Sequence, residues 1–218
     1  MQKEAYFTPE TIHEKSAAML EAVADSRRRH ANIIFDPRRA ALLVLDLQEY
    51  FLQESSHAFV PSACAIIPNI QALINIFSSH DRPVIFTRHV NTPENAAMMS
   101  RWWKDLIRSG SPESKISFLL DISNGLVVQK GQYDAFYESE LQGVLSSNEV
   151  EQVVITGVMT HLCCETTARS AFVRGFEVLF VINGTATYTE GMHRASLQNL
   201  SHGFVVPVLS EEIIRGFE

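Results

Sequence analysis

The stretch Ala40-Ala-Leu-Leu-Val-Leu-Asp-Leu-Gln-Glu-Tyr-Phe51 opens with six apolar residues and stops at an aspartate. A continuous rather than alternating apolar run of this length reads as a strand covered on both faces, as in a parallel sheet. Five similar runs follow: Pro83 to Thr87, Gly125 to Val128, Gln152 to Thr156, Glu177 to Ile182 and Phe204 to Val208. Between them, Pro61 to Ser79, Ala135 to Leu145, Leu162 to Arg174 and Glu190 to Ser201 read as helices. Alternating strands and helices with right-handed crossovers give an α/β fold with a doubly wound parallel sheet.

Working outward, the 218 residues suit one domain spanning 1–218, with residues 1–38 as an N-terminal extension packed on it. An amphipathic helix is expected near Pro9 to Arg27. A formal net charge of -7 argues against nucleic acid or an anionic membrane as partner. The basic run Arg27-Arg28-Arg29-His30 reads as a solvated helix end. Three cysteines without a repeated spacing argue against a disulfide framework and for a reducing compartment. No apolar run approaches the roughly 18 residues of a membrane span, and MQKEAYFTPE lacks a signal-peptide core, so the expected location is cytoplasmic. Residues Asn91 to Ser123 form a long connection, of the kind that serves as a lid, a binding loop or a subunit contact.

Ligands of open parallel sheets bind beyond the carboxyl ends of the strands. There the first strand presents Asp46, the second Arg88 and His89, and the third Lys130. Asp46 alone is equally a cap for the next segment, and Lys130 alone equally a surface lysine. Their joint placement favours a site. Arg88 or His89 would bind a substrate carboxylate or carbonyl, or else pair with Glu94 or Asp105. Trp102, Trp103 and Tyr133 are candidate pocket walls, Phe51 and Phe136 a candidate floor, and His161 a structural histidine.

The fourth strand runs into Gly157-Val-Met-Thr-His-Leu-Cys-Cys-Glu-Thr-Thr-Ala168. On a helix, adjacent residues differ by about 100° around the axis, so the two cysteines face different ways. Cys164 shares a small apolar stripe with Ala168 and Ala171 and belongs to the core. Cys163 shares a polar face and looks into the strand-end cleft. A helix start and a neighbouring lysine would favour its thiolate, with Asp46 taking the proton. Two inert core thiols remain the competing reading.

Three blocks carry a resemblance to a known family: Ala40 to Phe51, Val128-Gln-Lys-Gly-Gln-Tyr-Asp-Ala-Phe136, and Val154-Ile-Thr-Gly-Val-Met-Thr-His-Leu-Cys-Cys-Glu-Thr-Thr-Ala168. In order and spacing they resemble the isochorismatase-like cysteine hydrolases. That resemblance implies a three-layer α/β/α sandwich with a six-stranded parallel sheet, in homodimers or homotetramers. It implies Asp46, Lys130 and Cys163 as the catalytic set, and Gln48 near the substrate pocket. It also implies a cis peptide at Val158-Met159 that aims an N–H at the substrate oxyanion. Metal-containing members carry an Asp-x-His and a further His after the second strand. Here that strand continues Thr87-Arg-His-Val-Asn-Thr-Pro93, so no metal and no cofactor is expected. Residues 1–38 and Phe35-Asp-Pro-Arg-Arg39 resemble true isochorismatases, in which a glycine stands at position 163.

The leading expectation is therefore a hydrolase of a small-molecule amide, ureido or imide C–N bond, working through a Cys163 thioester. One alternative is vinyl-ether hydrolysis of isochorismate by protonation from Asp46, without a nucleophile. The other is a non-catalytic binding or scaffold protein on the same fold.

Overall fold

The computed structural model describes residues 2–218. Six strands form one all-parallel sheet in the order β3-β2-β1-β4-β5-β6: β1 Ala40–Leu45, β2 Val84–His89, β3 Leu126–Lys130, β4 Gln152–Val158, β5 Glu177–Ala186 and β6 Val206–Val208. The expected doubly wound α/β architecture is the one observed. Every residue of β1 and β4 is buried, as their unbroken apolar runs require. β3 is the exception. It is an edge strand, and Leu126 and Val127 face solvent.

The helices are α1 Ile12–Ala22, α2 Ala24–Arg29, α3 Glu49–Leu52, α4 Ala63–Ser79, α5 Met99–Trp102, α6 Leu141–Ser147, α7 Glu165–Val173, α8 Glu190–Gly203 and α9 Ser210–Arg215. α4 and α9 pack together against one side of the sheet, and α7 and α8 lean on β5 and β6. Crossovers of one hand that run outward in opposite directions from β1 and β4 place their helices on opposite faces. β1 and β4 are therefore the strands where the chain order reverses, and a crevice opens at their carboxyl ends.

Several boundaries differ from the sequence reading. Ala135 to Leu145 is not one helix. Asp134 Oδ1 accepts from Phe136 N, and Glu138 adopts a left-handed φ of 47°, so a helix forms only from Leu141. The N-terminal helix breaks at Val23 into α1 and α2. β5 runs to Ala186 past an irregularity in its register with β4.

One glycine is structurally obligatory. Gly157 has φ 113°, and a Cβ there would lie 2.0 Å from the Leu45 carbonyl oxygen. Any side chain would force β1 and β4 apart at the crevice.

Residues 3–7 run across the domain toward the carboxyl end of β5. Tyr6 and Phe7 are buried. The Tyr6 hydroxyl accepts from Thr187 N at 3.0 Å and pairs with His193 Nδ1 at 2.9 Å. His193, on α8, is fully buried with its Nε2 3.3 Å from Thr185 Oγ1. Burial, with the nearby Arg194 charge, pushes this imidazole from 6.5 down to about 3. The folded state holds it neutral, so its stabilising contribution is complete above pH 6.5 and is lost as the pH falls toward 3. Urea unfolding followed from pH 7 to pH 4 should show stability declining below pH 6.5. His193→Gln should make that acid limb shallower, whereas an unchanged slope would remove His193 from the explanation.

Candidate active site

Asp46 leaves β1 with φ 52°, a left-handed conformation that aspartate tolerates better than most residues. Its backbone N–H donates to Thr87 Oγ1 at 3.1 Å, and the same hydroxyl donates to Asp46 Oδ1 at 2.6 Å. A β2 side chain thus fixes the carboxylate at the end of β1. Oδ2 lies 2.7 Å from Lys130 Nζ, and neither side chain is exposed. β2 lies between β1 and β3, so the lysine reaches across a whole strand to make this pair. Nζ also donates to Gln132 O at 2.8 Å and approaches Cys163 Sγ at 3.5 Å and His89 Nδ1 at 3.4 Å.

Burial pulls both members of the pair toward neutrality, and their mutual attraction reverses that. Against burial, the Lys130 charge, His89 and hydrogen bonding from Cys163 and Lys130 hold the Asp46 carboxyl below its ordinary range. Against burial, Asp46 and then Cys163 hold the Lys130 ammonium above its ordinary value. Both groups are charged at neutral pH. His89 is the opposite case. Burial and the neighbouring ammonium push it down to about 4, so it is neutral. Its Nε2 lies 2.9 Å from Asn91 Oδ1, which can only accept, so the proton belongs on Nε2 and the Nδ1 lone pair faces the lysine.

Cys163 faces the cleft and Cys164 is sealed in the core, 3.9 Å from the Thr156 carbonyl. That division was expected, although Thr160–Cys164 is a π-helical turn and regular α-helix begins only at Glu165. The expectation of a lowered thiol pKa is corrected. Burial, then the Asp46 charge, push the Cys163 thiol well up, and Lys130 opposes them without winning. The lysine is committed to the carboxylate and offers the sulfur little net charge. The resting arrangement is a thiol beside a carboxylate whose Oδ2 is ion-paired with Lys130.

The pocket above Cys163 is walled mainly by aromatic and aliphatic side chains, among them Tyr50, Phe51, Trp103, Tyr133 and Tyr188. Trp103 Nε1 donates to the Tyr133 hydroxyl at 2.7 Å and fixes that wall. Phe51, His89, Trp103, Tyr133, Met159 and Cys163 all reach the pocket. Two expected substrate contacts do not. Arg88 and His89 are consecutive on β2 and so point to opposite faces, and Arg88 turns away to Gln129 at 2.8 Å. Gln48 is buried and spends its amide on the frame. Nε2 donates to His89 O and Ser114 O, and Oε1 accepts from His89 N. Trp102 is exposed, Phe136 stacks on Phe176, and His161 bonds Thr187 rather than lining the pocket. The Val158-Met159 peptide is cis.

Sequence reasoning missed Tyr50, His57, Met99, Asp105, Ile107 and Tyr188, all of which line the pocket. Tyr188 sits just beyond β5 and the strand-end rule would have reached it had the end of that strand been placed at Ala186. Tyr50 and Met99 lie on single-turn helices too short to leave a period, and His57, Asp105 and Ile107 lie on connections.

The isochorismatase-domain family model matches residues 40–212. The chain is 36% identical to Nicotinamidase 3 of Arabidopsis thaliana over 201 residues, 88% of this chain and 96% of that protein. It is 31% identical to Enterobactin synthase component B of Escherichia coli (strain K12) over 183 residues, 83% of this chain but 64% of that protein. Two solved structures share the fold. A cysteine hydrolase from Pseudomonas syringae gives a TM-score of 0.77 at 23% identity, over 84% of this chain and 94% of that one. The pyrazinamidase of Pyrococcus horikoshii in complex with zinc gives 0.70 at 24% identity, over 78% of this chain and 99% of that one. The residues here do not fit a zinc site of their own. Among the described residues, no three His, Cys, Asp or Glu side chains gather as a cage. His89 offers its one lone pair to a neighbouring ammonium.

Removing one member of a buried ion pair strands the other, at a cost of roughly 3–5 kcal/mol. Lys130→Ala should lose about that much stability in urea titrations. Adding Asp46→Asn to it should return most of the loss. A Lys130→Ala protein as stable as the parent would show that the pair does not hold both charges in the folded state.

Proposed function

The chain belongs to the isochorismatase family of hydrolases, and from that premise we propose that it is a metal-independent cysteine amidase acting on a small, uncharged, planar amide of the nicotinamide class. One observation carries the reading. A cysteine faces a buried carboxylate at the base of an aromatic pocket whose lining includes no arginine or lysine. Aromatic walls suit a flat neutral ring. Isochorismate carries two carboxylates, and this lining offers them no cation. The 26% identity to the isochorismatase of Bacillus subtilis (strain 168) and the N-terminal extension favour the vinyl-ether alternative, and the pocket chemistry weighs against it.

In this proposal Cys163 Sγ attacks the amide carbonyl carbon while its proton passes to Asp46 Oδ2. Backbone N–H groups along Met159–Cys163 receive the oxyanion. Asp46 then returns the proton to the nitrogen, the C–N bond breaks and ammonia leaves, with a thioester left on Cys163. Water attacks the thioester, giving up a proton to Asp46, which passes it back to the departing thiol. Lys130 keeps Asp46 ionised at the start and limits how basic it becomes. Because the thiol is protonated at rest, attack and proton transfer belong to one concerted step rather than to a preformed thiolate.

Cys163→Ala should abolish amide hydrolysis by several orders of magnitude, and Asp46→Asn should be nearly as damaging. The measurement is ammonia release from nicotinamide and a ureido acid and ring opening of a cyclic imide, beside turnover of isochorismate. Isochorismate turnover retained by Cys163→Ala would establish the vinyl-ether reading instead. Acyl mass captured on Cys163 would establish the thioester.

Dialysis against a strong chelator should leave amide turnover unchanged. Loss of activity that one added metal restores would overturn metal independence.

A further inference from the structure

The wall of the pocket opposite the sheet has an unusual weakness. Tyr50, His57, Asp105, Leu106 and Ile107 line the pocket above Cys163, and they also line a second surface hollow. Ile107 and Tyr50 tie this wall to the core, whereas His57 and Asp105 stand outside it. That outer part must be held by its own contacts and by whatever grips its edges. Its internal contacts are long. His57 Nδ1 lies 3.4 Å from Asp105 Oδ2, Tyr50 Oη lies 3.3 Å from His57 Nε2, and the Tyr50 hydroxyl reaches Asp105 O at 3.4 Å.

The strongest contacts on this wall come from a residue far away in sequence. Lys3 Nζ donates to His57 O at 2.6 Å and to Phe59 O at 2.7 Å. The same ammonium sits over the Tyr188 ring, 4.5 Å from its centroid. Two carbonyls and one π face match the three donors of an ammonium. The neighbours of Lys3 strengthen the bridge. Glu4 N donates to Tyr188 O at 2.8 Å, Glu190 N donates to Glu4 Oε2 at 3.0 Å, and Phe7 N donates to Ser62 Oγ at 3.0 Å. Residues 3–7 thus join the loop that carries His57 to the loop that carries Tyr188, two pocket walls far apart in sequence.

We propose that Lys3 is a positioning residue for substrate selection: it clamps the His57 and Tyr188 walls together and so sets the width of the pocket above Cys163. It touches neither Cys163 nor the Asp46–Lys130 pair, so its effect falls on which molecules fit and how tightly, with the chemistry left intact. The proposal rests on the reading of this pocket as the substrate site. Lys15 supplies the control. It also pins the N-terminal region, through Glu190 at 2.5 Å, yet it contacts no pocket wall.

The test compares the parent, Lys3→Met and Lys15→Met. Each is treated with iodoacetamide and with the bulkier N-benzyl-iodoacetamide, and the alkylation rate of Cys163 is read by peptide mass mapping beside melting temperature. Lys3→Met should raise the bulky-to-small rate ratio at least fivefold while the iodoacetamide rate stays within about twofold of the parent. Lys15→Met should lower melting temperature and leave the ratio unchanged. On nicotinamide, Lys3→Met should raise KM about tenfold with kcat nearly constant. An unchanged ratio for Lys3→Met, or equal shifts in both variants, would overturn the proposal and leave the segment as a general anchor. If the parent hydrolyses no amide, the functional reading fails, and the alkylation ratio still decides the role of Lys3.

Discussion

The site depends on one electrostatic constraint: an ammonium and a carboxylate sealed from water 2.7 Å apart, one from β3 and one from β1. Neither charge is tolerable alone at full burial, and together they fix each other's protonation. The consequences spread outward. Burial, reinforced by the ammonium, keeps His89 neutral, and the neutral imidazole then turns its proton to Asn91. Burial, reinforced by the carboxylate, keeps Cys163 protonated. The pair also bridges β2 at the crevice, where Thr87 fastens it from below.

This constraint changes what proximity means. A lysine 3.5 Å from a sulfur reads, by distance, as a thiolate stabiliser. Its charge is nevertheless offset by a carboxylate at shorter range, and burial of the sulfur outweighs what the lysine contributes. The group at rest is a thiol, and in the proposed reaction it needs a base, a part that a neighbouring carboxylate able to take and return one proton would fill. Covalent chemistry would then begin when substrate binding and proton transfer coincide.

The sheet and the clustering of Asp46, Lys130 and Cys163 were legible because they follow rules of period and position. Apolar runs marked β1 and β4, and strand ends marked Asp46 and Lys130. Where the same logic was applied incompletely, it misled. Arg88 and His89 were weighed together, yet alternation along β2 sends one into the pocket and the other to Gln129. Gln48 was placed near the substrate because the family resemblance implies it, yet its amide is consumed by the backbone of His89 and Ser114. The pocket walls were the least legible part. Met99, Asp105 and Ile107 lie on a connection held by isolated bridges such as Asn91 to Arg108, which leave no periodic trace.

The N-terminal segment has a consequence for how the molecule is made. Tyr6 finds its partners at Thr187 and His193, 181 and 187 positions downstream. A ribosome delivers residues 3–7 well before those partners exist. Lys3 and Phe7 can meet His57, Phe59 and Ser62 early, but Tyr6 must wait until β5 and α8 have emerged and folded. A pocket closed by Lys3 against Tyr188 could therefore assume its final shape only after β5 is in place.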